Sequence, residues 1–261
     1  AQLLLDKGAE IDRANKDGRT PLYLASEFCH VDIARLLLDN GAEIDKADKK
    51  GHTPLYVACV FDHLDLARLL LDKGAEVDKT NKLGMTPLYI ACDNGHLDVA
   101  RLLLDKGADV DRANEDGETA LLLSCYKGYE DAVRLLLEKG ANIGALYGGY
   151  TPLQIASINN HNNIVNILKQ NIKSKSEVYH TDQFQDFGKI TKLTNTEKIQ
   201  KKKKKKNRKV SCKNTTNISQ GESEIKKITS VLLLDNNPTT EDMTNFRSFN
   251  RNMIVETSTQ N

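Results

Sequence analysis

TPLYVACVFDH, residues 53–63, places Cys59, Asp62 and His63 within five positions. Cys59 and His63 stand four apart, the spacing at which two side chains on one helix face can grip a metal or share a proton. The stretch is not unique, however. TPLYLAS begins at Thr20, TPLYVAC at Thr53, TPLYIAC at Thr86, TALLLSC at Thr119 and TPLQIAS at Thr151, at intervals of 33, 33, 33 and 32 residues. Cys59, Cys92 and Cys125 share one register with Ser26 and Ser157; His30, His63, His96 and His161 share another. A position that takes only Cys or Ser in five copies reads as a small slot at a close helix contact, where cysteine behaves as a small hydrophobe. A dedicated catalyst or metal ligand is expected once. No catalytic, cofactor-binding or metal residue is assigned, and no Gly-rich phosphate loop, nucleophile elbow or kinase signature is found.

Each repeat reads as two short helices and a loop. Gly-x-Thr-Pro opens the first helix, with threonine placed to cap it and proline in the first turn, where a missing N–H removes nothing. Leu22, Ala25 and their equivalents give it an apolar face. A Gly-His break such as Gly95-His96 follows, and the second helix starts near Asp32, Asp65, Asp98 and Asp131, where negative charge suits the helix dipole. It stops at Gly41, Gly74, Gly107 and Gly140, each suited to a left-handed C-terminal position. Three adjacent leucines cover more than an arc of ~100°, so this helix is expected to be buried between neighbours. The following Ala-Glu-Ile-Asp segment reads as an extended hairpin.

Together these features resemble the ankyrin repeat: the period, Gly-x-Thr-Pro-Leu, Gly-His, the triple leucine and the Gly-Ala-Asp/Glu-Val/Ile-Asp ending stand in order over residues 1 to about 171. The resemblance implies an all-α solenoid of helix-turn-helix units with a β-hairpin loop per repeat. The chain departs from the pattern in two places. Tyr23, Tyr56 and Tyr89, then Leu122 and Gln154, stand where the family usually has histidine, and Asp62 replaces the glycine before His63. The expected divisions are a partial repeat over 1–15, repeats over 16–48, 49–81, 82–114 and 115–146, a capping repeat over 147–171 and a tail over 172–261. Ala1 to Gly8 aligns with Ala34 to Gly41, which reads as a fragment of a longer array. Near the other end, Asn162, Asn163, Asn166 and Lys169 read as a solubilising cap.

In such stacks the hairpin tips and the exposed side of the first helix form a concave binding face. Carried onto this chain, the resemblance places there Lys16, Asp17, Arg19, Glu27 and Phe28, then Lys49, Lys50, His52, Val60 and Phe61, then Lys82, Leu83, Met85, Asp93 and Asn94. Glu115, Asp116, Glu118, Tyr126 and Lys127 follow, with Tyr147, Tyr150, Ile158 and Asn159 last. Phe28, Val60, Phe61, Leu83, Met85, Tyr126, Tyr147 and Tyr150 are large apolar groups at positions expected to face solvent, the composition of an interface core. They are the candidate partner-binding residues.

Charge divides the chain. Residues 1–171 hold 19 Lys/Arg against 26 Asp/Glu, a net of −7, whereas 172–261 hold 18 against 10, a net of +8. The later segment is poor in apolar residues and reads as a disordered, low-complexity tail. Within it, Lys201–Lys209 (KKKKKKNRK) admits three readings: a nuclear-import signal, a patch for nucleic acid or an anionic surface, or a neutral tract. No apolar run approaches the ~20 residues needed to span a bilayer. Five cysteines, three of them in the repeat slot, suit reduced thiols in an intracellular protein, cytoplasmic or nuclear. The functional expectation is a non-catalytic scaffold that binds a partner protein of unknown identity. Its rivals are a regulatory or targeting arm of a larger enzyme or channel lying upstream, and a nuclear regulator that uses the lysine run.

Overall fold

The computed structural model describes residues 2–175. Internal contacts divide the chain into two units, residues 1–165 and 166–261. The first unit is a series of helix pairs. After the short α1 (Gln2–Asp6) come α2 (Pro21–Glu27) and α3 (Val31–Asp39), α4 (Pro54–Val60) and α5 (Leu64–Asp72), α6 (Pro87–Asp93) and α7 (Leu97–Asp105), α8 (Ala120–Lys127) and α9 (Glu130–Glu138), and then α10 (Pro152–Ile158). α2, α4, α6 and α8 each pack on the second helix of their own repeat and on the first helix of the next, the series ending at α10; α3, α5, α7 and α9 form a second row, each packed on the next.

Local sequence explains where each helix starts and stops. Thr20, Thr53, Thr86, Thr119 and Thr151 sit in extended backbone and accept the N–H of the residue three positions on, at 3.0–3.4 Å. All five threonines are buried, so each satisfied hydroxyl also removes an orphan donor from the interior. The second helices end in one repeated geometry. The N–H of Gly41 reaches the carbonyl of Leu38 and that of Ala42 the carbonyl of Leu37, and the same pair of bonds closes Gly74-Ala75, Gly107-Ala108 and Gly140-Ala141. Gly41 has φ +88°, a left-handed conformation that any β-carbon would strain.

The triple leucines behave as the pattern requires in the interior of the stack. Leu102 to Leu104 and Leu135 to Leu137 are all buried, and the central Leu37, Leu70, Leu103 and Leu136 are buried in every complete repeat. Leu3 and Leu4 of α1 are exposed, at 69% and 65%. Among the described residues the hairpin loops contain no strand, but their turns are closed: the N–H of Asn15 bonds the carbonyl of Arg19 at 3.0 Å, and Asp48, Asn81 and Asn114 repeat the bond to His52, Met85 and Glu118.

Residues 162–175 are helical, with Asn162, Asn163, Asn166 and Lys169 exposed. Within 166–175, Ile167, Leu168 and Ile172 are buried. The remainder of the expected disordered tail, residues 176–261 with Lys201–Lys209, lies outside the described residues.

Candidate protein-interaction surface

The repeat-locked residues turn out to join repeats. The Nε2 of His63 lies 3.2 Å from the carbonyl of Glu27, that of His96 3.1 Å from Val60 and that of His161 3.0 Å from Tyr126, each at the end of the preceding first helix. These are carbonyls a helix leaves without an internal partner, so the imidazole completes the neighbouring helix. Asp12, Asp45, Asp78 and Asp111 work in the other direction, each carboxylate accepting the backbone N–H of the residue 31 positions on. Lys73–Asp39, Lys106–Asp72 and Lys139–Asp105 form an exposed ion-pair row at 2.6–2.7 Å.

The cysteine slot is interior. Cys59, Cys92 and Cys125 are at most 2% exposed, and burial pushes the thiols of Cys92 and Cys125 up to about 12 and that of Cys59 higher still. A nucleophilic or metal-binding cysteine needs its thiolate, which burial in an apolar slot disfavours. Cys29, outside this register, is exposed.

The tyrosines that stand where the resemblance expects histidine reach across to the next hairpin. The Tyr23 hydroxyl donates to Asp48 at 3.4 Å, Tyr56 accepts from the Asn81 amide at 3.3 Å, and Tyr89 donates to the Glu118 carboxylate. Asp48, Asn81 and Asn114 brace the hairpins as well, each accepting two backbone N–H groups across its own turn. Asp62 succeeds where glycine was expected: it takes φ +58°, alongside Cys29 at +56° and Asn160 at +61°, at the turn that Gly95 and Gly128 make elsewhere. Aspartate and asparagine enter this region more readily than other residues with a β-carbon.

The proposed anchors fall in three groups. Phe28 and Phe61 are the residues just past the first helices of successive repeats, 63% and 49% exposed, with their rings beside His30 and His63. Leu83 is exposed at a hairpin tip, 47%. Val60, Met85, Tyr126 and Tyr150 are half-buried, Met85 lying with its sulfur 3.9 Å from the Tyr56 hydroxyl. The first-helix face also carries the Arg19–Glu27 pair at 3.2 Å, with the guanidinium 5.2 Å above the Tyr23 ring, and His52 stacked on Tyr56 at 4.7 Å.

Tyr147 is a correction. It was expected to face solvent and is 2% exposed. The physical reason lies in the 32-residue interval. Tyr147 and Tyr150 exchange both backbone bonds at 3.0 Å around Gly148 (φ +56°) and Gly149 (φ +86°), a two-residue turn with both central residues left-handed. The missing residue therefore comes out of the tip, and Tyr147 takes the place of Asn15, Asp48, Asn81 and Asn114 rather than that of Lys16. Ile158, also mapped to the open face, is fully buried. Leu146, 60% exposed, was missed; its only signal was its position one residue before the shortened hairpin.

A family model described as ankyrin repeats (3 copies) matches residues 1–81, 41–114, 73–146 and 110–182. The chain belongs to the ankyrin-repeat family. No curated protein matches the chain. Ankyrin repeats generally mediate protein–protein interaction and are typically non-catalytic, their stacked units presenting extended binding surfaces. Among the described residues no helix of this ankyrin stack is long and apolar enough to cross a membrane.

Proposed function

We propose that this ankyrin stack is a non-catalytic scaffold that holds a partner protein on the concave face made by its hairpin tips and first helices. Phe28, Phe61, Leu83, Val60, Met85, Tyr126 and Tyr150 are the proposed contacts; Tyr147 is withdrawn because it is interior. The observation that carries the reading is the pair Phe28 and Phe61. Two phenylalanines at one register of adjacent repeats keep about half or more of their surface in water, although the chain has only six in all. Exposed aromatic area in register is the raw material of an interface core. The free cysteines fit an intracellular site of action, in cytoplasm or nucleus.

The test is capture of partners by the intact chain against a Phe28→Ala, Phe61→Ala, Tyr126→Ala triple variant of equal melting temperature. Loss of specific partners from the variant alone supports the scaffold reading; identical capture by both refutes it.

A further inference from the structure

The hairpin tips form a row whose charge changes sign along the stack. The first three tips carry Lys16, Lys49, Lys50 and Lys82, all exposed, against the single exposed Asp17. The fourth carries Glu115 and Asp116, both exposed. This basic stretch sits on a body of net charge −7, so it is a local feature and not the overall balance. Among the described residues Lys16, Lys49 and Lys82 enter no ion pair, whereas Lys73, Lys106 and Lys139 do.

The row is also rigid. The N–H of Lys49 bonds the carbonyl of Asp17 at 3.0 Å, Lys82 that of Lys50 at 3.0 Å and Glu115 that of Leu83 at 3.1 Å, so each tip is tied to the next. Gly18, Gly51 and Gly84 permit that approach: a β-carbon there would come 3.0, 2.9 and 2.7 Å from the following tip's backbone nitrogen. Ordering cost on binding is correspondingly low.

We infer that the tip row binds an extended peptide segment of a partner protein that is acidic at one end, apolar next and basic at the other. This deepens the scaffold reading and rests on it. Stacked helices stand about 8–10 Å apart, and an extended chain advances about 3.3–3.6 Å per residue, so one tip meets about every third peptide residue. Acidic residues face the tips of Lys16 and of Lys49 and Lys50, an apolar residue meets Leu83 beside Lys82, and a lysine or arginine meets Glu115 and Asp116. Glu115 and Asp116 repel the end of any uniform polyanion, which favours a mixed-charge peptide over nucleic acid or an anionic membrane.

The experiment titrates the full chain with fluorescein-labelled ten-residue peptides and reads anisotropy at low and physiological salt. The probe carries Glu, Glu, Leu and Lys at every third position in an Ala/Ser background, in both chain directions. Its control has Glu and Lys exchanged. The matched peptide in one direction is expected to bind more tightly than the control, less so in added salt. The Lys16→Glu, Lys49→Glu double variant is expected to weaken it by about tenfold, and adding Lys50→Glu, Glu115→Lys and Asp116→Lys transfers the preference to the exchanged peptide. Equal binding of matched and exchanged peptides, or indifference to the Lys16→Glu, Lys49→Glu variant, overturns the proposal. So does displacement of the matched peptide by a single-stranded oligonucleotide or by phosphatidylserine vesicles. If partner capture is lost on Phe28→Ala, Phe61→Ala yet ignores the charge reversals, the tip-row inference falls while the scaffold stands; if it ignores both sets, both fall.

Discussion

Tyr89, on the first helix of one repeat, donates its hydroxyl hydrogen to the carboxylate of Glu118 at the entrance of the next. Both side chains are at most 5% exposed. The pair ties α6 to the hairpin that leads into α8, and it places a carboxyl group in an interior that resists its charge.

Burial, with Asp93 and Asp116 adding repulsion and the Tyr89 hydroxyl opposing it, raises the Glu118 carboxyl from 4.5 to about 7. The folded chain thus holds this proton more firmly than the unfolded chain. The sign follows: the contribution of Glu118 to stability is complete below pH 4.5 and is lost as pH rises through 7. A rise of that size corresponds to about 3 kcal/mol between the two limits. Glu118→Gln, which keeps an acceptor for Tyr89, is expected to remove this part of the pH dependence. Urea denaturation of both proteins at pH 5 and pH 8 measures it, and equal pH slopes would contradict the assignment.

Leu70 and Phe61 separate core from surface. Leu70 is fully buried on α5, so Leu70→Ala is expected to cost about 2–5 kcal/mol of stability. Phe61, 49% exposed, should cost within about 0.5 kcal/mol on truncation while weakening partner binding by about 2 kcal/mol. Thermal melts beside binding titrations give both numbers, and a collapsed melting temperature for Phe61→Ala would place that ring in the core.

The inter-helix turns make opposite predictions for two residues in the same conformation. Cys29 holds φ +56° with a β-carbon, and Cys29→Gly is expected to stabilise by up to about 1 kcal/mol, strain relief outweighing the extra freedom of the unfolded chain. Gly128 holds φ +81°, and a β-carbon there would come 2.6 Å from the His161 ring. Gly128→Ala is therefore expected to cost about 2–3 kcal/mol, from strain and the disturbed bond between His161 and the Tyr126 carbonyl. Chemical denaturation midpoints report both signs, and a destabilised Cys29→Gly would remove the strain argument.

Thr53 tests the caps. Its hydroxyl accepts the Tyr56 N–H at 3.1 Å inside a fully buried site. Thr53→Val keeps the shape and removes the acceptor, at an expected cost of about 1–2 kcal/mol. Thr53→Ser should recover most of it. Equal losses in both variants would point to packing rather than to the bond.

Much of the architecture was readable without coordinates because its signals act over one helical turn. Thr-Pro starts and Gly-Ala stops depend on residues within five positions and folded as their spacing implied. The leucine runs are fully buried in α7 and α9 but not in α1, where Leu3 and Leu4 stand in solvent. The surface was harder to read. Phe28, Phe61 and Leu83 were correctly placed in solvent, since they follow the register of the repeat. Tyr147 was not, because a deletion of one residue can be absorbed at several points of a loop. Only the paired backbone bonds between Tyr147 and Tyr150 show that it was absorbed at the tip.

By itself, then, the sequence determined the repeating unit, its two helices and the side chains that recur from repeat to repeat, because those rest on short-range hydrogen bonding and periodic burial. The tertiary structure decided what joins one unit to the next. Tyr89 finds Glu118 29 positions on, His96 finds the carbonyl of Val60 36 positions back, and Lys49 bonds the carbonyl of Asp17 32 positions back. Such partners depend on how closely neighbouring repeats approach, a distance set jointly by all the side chains between them.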